Sequence, residues 1–175
     1  MQSEIELIEA SLGRLRGRLP DLPLDEVLIL RLILLLAHEF GLMLDHRIRP
    51  NGLGEAEFRV LAALFSQPEG IAHPSDLCAR ASQSPANMSR ISDSLVRQGL
   101  ITRDACESDR RRMVLRITES GEKLVRTILP PMFAPLRGLY GAHSQEDKTL
   151  LITLLKRLAA RFDDVLAPAT ADVRA

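Results

Sequence analysis

The stretch 84-SPANMSRISDSLVRQG-99 and the stretch 100-LITRDACESDRRRMVLRIT-118 directly after it decide the fold. The first has the signals of a short helix with defined ends. Ser84 is a favourable N-cap, Pro85 suits the first helical position, and Gly99 suits a left-handed residue at the end. The second stretch is apolar on both sides of a polar, arginine-rich centre. We therefore expect a helix that leads into a hairpin.

The hairpin and a preceding helix complete a recognisable local pattern. Residues 100–105 and 112–118 alternate in part and lack helical periodicity, which predicts two paired strands. Residues 73–81 predict a short helix, with Pro74 at its first position and Asp76 in its first turn. Two short helices, a tight turn and a hairpin predict a winged helix-turn-helix, whose second helix enters the major groove of DNA.

Further helices flank this unit, so the predicted fold class is mainly α with a small β-hairpin wing and a helical dimerisation region. Residues 5–19 carry one apolar helical stripe, which suits either packing on the same domain or a dimer arm. The other predicted helices span 25–47, 55–66, a segment from about 118 that Pro130, Pro131 and Pro135 interrupt, and 145–166 behind the capping box 144-SQED-147.

Composition narrows the class of protein. The chain has 175 residues, 46% of them apolar, and a formal net charge of zero, which is an ordinary globular balance. Within 80–116, however, eight arginines face four acidic residues, and such asymmetry is typical of a nucleic-acid surface. The apolar run 27–37 contains Arg31 and is short for a membrane span, so it predicts a deeply buried helix and no membrane partner. The absence of a signal-peptide pattern at the N-terminus predicts a cytoplasmic protein.

The run 75–124 closely resembles the DNA-binding core of the MarR family of bacterial transcription regulators. The resemblance rests on the helix from Ser84, on 99-GLITR-103, on an Asp-x-Arg wing signature at Asp109 and Arg111, and on 117-ITESG-121. Three positions depart from the family pattern: Gly54 and His73 stand where a Ser or Thr cap is common, and Ala81 stands where a larger aliphatic residue is usual.

The resemblance implies a repressor that binds a palindromic double-stranded operator as a homodimer. Residues 53–118 would form the winged helix-turn-helix domain. Residues 23–52 and 119–175 would form the helical dimerisation region, and 1–22 an N-terminal extension that acts as a dimer arm.

The predicted DNA contacts fall into two groups. In the recognition helix, asparagine and arginine can form bidentate pairs with adenine and guanine; the residues are Ser84, Pro85, Ala86, Asn87, Ser89 and Arg90. In the wing, Asp109 would orient Arg111, which the resemblance places in the minor groove, while Arg110 and Arg112 would touch phosphates. A one-residue slip of the hairpin would exchange Arg111 for a neighbour.

Arg31, His38 and Asp45 lie nearly in line on one helix among leucines. They are interpreted either as hydrogen-bonding groups within or between subunits, or as part of an anion-sensing pocket. Relatives often bind aromatic or phenolic carboxylates, and Arg59 and Arg103 are further candidate partners for such an effector.

Other function classes have weaker support. Cys78 or Cys106 could serve a redox-responsive regulator, although neither has an activating cluster. His38, His46, Glu39 and Asp45 do not have the spacing of a standard zinc site. No phosphate loop, dinucleotide fingerprint or hydrolase motif is present, so neither an enzyme nor a cofactor is predicted. A winged helix retained only for protein contacts is the remaining alternative, and the arginine-rich wing argues against it.

Overall fold

A computed structural model of the chain describes residues 1–105 and 113–171. The elements of this part are α1 (Gln2–Arg18), α2 (Leu24–Ile48), α3 (Glu55–Phe65), β1 (Ile71–Ala72), α4 (Pro74–Arg80), α5 (Pro85–Arg97), β2 (Ile101–Ala105), β3 (Met113–Ile117), α6 (Glu119–Ile128), α7 (Pro130–Leu139) and α8 (Gln145–Ala171). Short 3₁₀ turns occupy Arg49–Asn51 and Pro68–Gly70. The chain divides into one compact unit up to Ile128 and a second from Leu129 onward.

The sheet has three strands in the order β1-β3-β2, all antiparallel. The predicted hairpin is confirmed, with Ile101 opposite Ile117 at its base and Ala105 opposite Met113 at its far end. The third strand, β1, was not predicted. It pairs with β3 through only two residues, which is too short to show an alternating pattern in the sequence.

The core of the first unit forms around α3, which buries one face against the helix-turn-helix and the sheet. Its buried residues include Val60, Leu61 and Leu64. Facing elements contribute residues that are also fully buried: Leu77, Met88, Leu95, Ile101 and Leu115. Aliphatic side chains therefore fix how α4, α5 and the hairpin lie on one another, in a chain with only 3% aromatic residues.

The 117-ITESG-121 motif seats α6 directly on the hairpin. The Thr118 N–H donates to the Leu100 carbonyl at 3.0 Å, and the Thr118 hydroxyl donates to the Gly99 carbonyl at 2.8 Å. The same hydroxyl oxygen accepts the Gly121 N–H at 3.1 Å and so caps the helix. A Cβ at Gly121 would overlap the Leu100 carbonyl oxygen, so this close approach requires glycine.

Helix α1 packs on α2 of the same chain. Leu12, in the middle of the predicted apolar stripe, is 2% exposed. Leu12 therefore packs within the subunit, whereas Leu19 at the end of the stripe is 54% exposed, and the dimer arm stays a prediction.

The interpretation of 27–37 as a deeply buried helix was wrong for the single chain. Only Ile48 is buried in α2, whereas Leu30 and Leu34 are 53% and 60% exposed. By length and composition alone, residues 24–51 could also cross a membrane. Hydropathy shows that a helix needs an apolar environment, but it does not show which molecule supplies it.

The second unit contains α7 and α8. Pro130 starts α7, as the predicted interruption requires, but α7 continues through Pro135 instead of breaking there. Pro135 costs one hydrogen bond, to the carbonyl of residue 131 in the first turn of the helix. The capping box of α8 is confirmed: the Ser144 N–H donates to Asp147 Oδ2 at 2.9 Å, and the Asp147 N–H donates to Ser144 Oγ at 3.1 Å.

Candidate nucleic-acid interface

The turn between α4 and α5 is tight because one residue takes a left-handed conformation. Ser82 has φ +53°, and the next N–H, that of Gln83, donates to the Cys78 carbonyl at 2.8 Å. Ala81 is 3% exposed at this point, where the chain turns away from α4. Ala81 therefore departs from the family pattern at a buried position of this turn.

Ser84 fixes the start of α5, as predicted. Its hydroxyl oxygen accepts the Asn87 N–H at 3.2 Å, and Pro85 follows at the first helical position. One face of the helix is buried and the opposite face is exposed. Met88, Ile91 and Leu95 are buried, so the polar residues at the start of the helix point away from the core.

That polar face carries the sequence-predicted recognition residues. Five of them are exposed and Asn87 is half-buried; the exposed ones are Ser84, Pro85, Ala86, Ser89 and Arg90. Asn87 lies in a chain of hydrogen bonds: its Nδ2 donates to Gln83 Oε1, and Arg90 donates to its Oδ1 at 3.3 Å. The Asn87 amide keeps one N–H and one lone pair for an external partner. The face is therefore ordered before any ligand binds.

Arg103 on β2 is bound to α5. One guanidinium nitrogen lies 2.6 Å from Asp93 Oδ1, and another donates to the Ser89 carbonyl at 3.3 Å. Ser89 and Asp93 are four residues apart and share a helix face. Arg103 therefore holds the hairpin against the recognition helix. The sequence pointed to Arg103 as a candidate effector partner and did not pair it with Asp93.

The base of the wing is tied at two further points. Asp104 accepts the Thr102 hydroxyl at 3.1 Å and lies 3.5 Å from Arg116 Nε, on the exposed side of the strands. His73, at the N-cap position of α4, instead uses its Nδ1 to bond the Met113 carbonyl at 3.1 Å. This bond links α4 to the strand that leaves the wing. The predicted wing contacts Asp109, Arg110, Arg111 and Arg112, and also Cys106, lie outside the described residues.

The start of α3 is stabilised without a side-chain cap. The Gly54 N–H donates to Glu57 Oε2 at 2.8 Å, which is one half of a capping box. The absence of Ser or Thr at position 54 therefore removes one bond and leaves the reciprocal bond in place.

The predicted effector residues lie in different surroundings. Arg31 and His38 are exposed on α2. Arg59 pairs with Glu55 at 2.7 Å within α3, and Arg103 is engaged by Asp93. Asp45, in line with Arg31 and His38 in the sequence, pairs with Arg49.

Two further candidate functions, redox sensing by a cysteine and metal binding, concern other residues. Cys78 is a half-buried free cysteine on α4. Among the residues that the structure describes, no group of three His, Cys, Asp or Glu side chains is arranged to hold a metal ion.

Comparison with known proteins identifies a family that the chain resembles. Residues 51–112 match the sequence model of the MarR family. The transcriptional repressor MprA of Escherichia coli (strain K12) is 32% identical over 168 residues, which cover 94% of each chain.

Solved structures show the same fold. The crystal structure of AbsC, a MarR family transcriptional regulator from Streptomyces coelicolor, superposes with a TM-score of 0.65 at 25% identity and covers 86% of this chain and 95% of that one. The MepR–DNA complex of S. aureus gives a TM-score of 0.67 at 20% identity and covers 75% and 94%. The chain therefore belongs to the MarR family, whose members are DNA-binding transcriptional regulators and not enzymes.

Proposed function

We propose that this protein is a repressor that binds a palindromic operator as a homodimer and releases it when a small aromatic or phenolic acid binds. The observation that carries the DNA-binding part is the exposed, hydrogen-bonded face of α5 around Asn87 and Arg90. Amide and guanidinium groups are the side chains best suited to reading adenine and guanine edges in the major groove. The similarity to MprA, a transcriptional repressor, supports repression as the direction of control.

The wing belongs to the same proposal. Asp109 would orient Arg111 toward a minor groove, and Arg110 and Arg112 would contact phosphates. The Arg103–Asp93 ion pair supports a wing that moves with α5 as one body, because it joins β2 to the recognition helix. One body would present both elements to DNA in a fixed relation.

Exposed apolar helices support the homodimer. Eight apolar side chains of α8 are between 41% and 61% exposed in the single chain: Leu150, Leu151, Ile152, Leu154, Leu155, Leu158, Phe162 and Val165. A contiguous apolar face of this kind marks an interaction surface. A second copy of the chain would cover it and would pair two recognition helices about one DNA turn apart.

Helix α2 also leaves apolar side chains exposed. Its exposed leucines need cover, and Arg31 near the middle of the run would be costly in a lipid core. We propose that protein, not lipid, surrounds this helix, consistent with a cytoplasmic regulator. The proposed domain assignment, with 53–118 contacting DNA and the remaining helices forming the dimer, follows from these two surfaces.

Effector control would act through the charged groups near α5. An aromatic acid has a carboxylate that competes with Glu55 for Arg59 or with Asp93 for Arg103. Arg31 and His38 are further exposed candidates on α2. Such an acid lowers DNA affinity only if it binds an arrangement that is incompetent for DNA more tightly than the competent one.

One selection experiment tests the proposal. The purified protein is used to select duplexes from a random library, and the enriched sequences are mapped upstream of its own gene and neighbouring genes. We expect an inverted repeat whose affinity falls in the presence of a member of a panel of hydroxybenzoic and related acids. If no sequence is enriched, a sequence-specific repressor is excluded, and a winged helix retained for protein contacts becomes the better account. If a repeat is enriched but no acid shifts either DNA affinity or the melting temperature, only the effector assignment fails.

A further inference from the structure

A cavity of about 490 Å³ lies between the start of α3 and one face of α5. Its α3 wall is formed by residues 54–57, and its α5 wall includes Asn87, Arg90 and Arg97. Arg90 and Arg97 are seven residues apart, so they lie on nearly the same side of the helix, about 10 Å apart along its axis. Arg97 was not among the residues predicted from the sequence to contact DNA, and nothing in the motif pattern identifies it.

The acidic side chains that line this cavity are already engaged. Glu55 lies 2.7 Å from Arg59, and Glu57 accepts the N–H of Gly54 at 2.8 Å. Asp93, on the α5 wall, is held by its ion pair with β2. Glu55 and Asp93 are therefore each paired with an arginine outside the lining, whereas Glu57 is held by a neutral backbone N–H and keeps its charge.

The two arginines of the cavity differ from these carboxylates. Arg90 donates to the neutral amide oxygen of Asn87. In the described part of the chain, no carboxylate lies within 4.0 Å of either Arg90 or Arg97. Both guanidiniums are exposed. The cavity therefore holds two cations whose charge an external anion can neutralise.

The lining favours a hydrated anion over an apolar one. Most residues that form the cavity have charged or polar side chains, with Gly54, Ala56 and Ile91 as the exceptions. An aromatic acid would have little apolar surface for its ring, whereas a phosphodiester needs only charge and hydrogen-bond donors.

The position of the cavity indicates that the phosphate belongs to the DNA backbone. The cavity begins at Asn87 and Arg90, the residues that the proposed function places at the base edges, and it continues for two turns to Arg97. We propose that Arg97 forms a seat for a backbone phosphate of the bound DNA, beside the bases that α5 reads. This inference rests on the proposed function and assigns Arg97 as a phosphate-binding residue.

The assignment has a measurable signature because phosphate contacts carry no sequence information. Loss of a phosphate contact weakens binding to every sequence alike and lowers the salt dependence of binding. Loss of a base contact weakens binding to the operator alone. Arg97 and Arg90 should therefore behave differently although they lie on the same helix face.

The experiment uses the full-length protein and a random-sequence duplex of about 30 bp in a fluorescence anisotropy titration from about 50 to about 200 mM KCl. For Arg97→Ala, the slope of log K against log salt should become less steep by about 0.9 for each bound protomer. The affinity advantage of wild type should shrink about threefold per protomer across that salt range. Arg97→Lys should keep most of the slope, because a point charge is sufficient for a phosphate.

Arg14→Ala is the matched control, since it removes an exposed arginine from α1 and should leave the slope unchanged. Unchanged circular dichroism melting would show that the Arg97 variants remain folded. If wild type binds in a salt-dependent manner and Arg97→Ala has the wild-type slope, the phosphate seat is refuted and the proposed function stands. If wild type shows no salt-dependent binding to any duplex, the proposed function and this inference both fail.

Discussion

The Asn87 side chain determines how much of the recognition face is ordered before DNA arrives. It is bonded on one side to Gln83 and on the other to Arg90, so three polar side chains hold each other in place. Each rotamer fixed in the free protein is one that DNA binding does not have to order, at a saving of about 0.5–1.5 kcal/mol. Preorganisation at this scale favours selective base recognition over general attraction to phosphate.

Replacement of Arg90 by alanine tests this role. We expect Arg90→Ala to weaken binding to the selected operator by about 1–3 kcal/mol, as for one specific base contact, and to change binding to a random duplex much less. Anisotropy titrations with both duplexes measure the difference. An equal loss on both would show that Arg90 contacts phosphate and would contradict its assignment to base readout.

Position 121 requires glycine because any side chain there would collide with the hairpin. In Gly121→Ala the new methyl group would overlap the Leu100 carbonyl oxygen and the Ile117 side chain, so α6 would have to shift. We expect the free energy of unfolding, measured by urea titration, to fall by about 1–3 kcal/mol. Gly17→Ala on α1 is the control, because nothing lies within 4 Å of its new Cβ. It should be neutral or stabilising by up to about 1 kcal/mol. Equal effects of the two changes would contradict the close approach of α6.

At the scale of elements, the arrangement that matters is α5 joined to β2. The aliphatic core sets the approximate packing, but the Arg103–Asp93 pair and the bond from Arg103 to the Ser89 carbonyl set the angle at which the hairpin leaves the helix. The pair is half-exposed, so its direct contribution to stability is small. Its effect on DNA binding should exceed its effect on folding.

A double-mutant cycle measures that effect. Arg103→Gln and Asp93→Asn should each reduce operator affinity, and the double variant should lose less than the sum of the two. The coupling should be of the order of 1 kcal/mol in DNA binding, with less than about 0.5 kcal/mol in unfolding. Additive losses in DNA affinity would show that the two side chains act independently, and the proposed hairpin anchor would be wrong.

The N-terminus of α8 should respond to acid. The Ser144 N–H, then the Ser144 hydroxyl and the nearby His143, lower the pKa of the Asp147 carboxyl below its ordinary value. A lowered folded-state pKa means that the stabilisation is present above the ordinary aspartate pKa of about 3.9 and is lost as the pH falls through the folded value. The melting temperature of wild type should approach that of Asp147→Asn as the pH falls below about 4. A constant difference between the two down to pH of about 2 would contradict this bond.

What the sequence could predict differs between these elements for physical reasons. The starts of α5 and α8 were predictable because Ser84, Pro85 and the 144–147 box act through contacts within one helical turn. Strand β1 was missed because its two residues are defined only by their partners on β3. The Asp93–Arg103 pair was missed because its members lie on two different elements that meet only in the folded chain.

At the scale of the whole molecule, the outstanding feature is apolar surface that one chain leaves open on α2 and α8. The sequence showed that these helices are apolar, but it could not distinguish burial within a chain from burial between chains. The prediction that residues 27–37 are deeply buried failed for that reason. The proposed homodimer would cover both surfaces.

A charge placed on α8 tests the dimer. Leu154→Asp would bury an unpaired carboxylate in the interface, which costs several kcal/mol, so the dimer dissociation constant should rise by at least about a hundredfold. Analytical ultracentrifugation measures it, with Lys156→Glu, a charged-to-charged change on the same helix, as the control. A wild-type protein that sediments as a stable monomer at micromolar concentration would contradict the homodimer.

The most direct test of the central claim is footprinting of the wild-type protein on the DNA upstream of its own gene, with a shuffled duplex of the same composition as competitor. The account predicts two protected half-sites about one helical turn apart. It also predicts protection that survives competitor at a salt concentration where Arg90→Ala no longer protects. Uniform protection along the duplex, abolished equally by the shuffled competitor, would contradict sequence-specific recognition by α5.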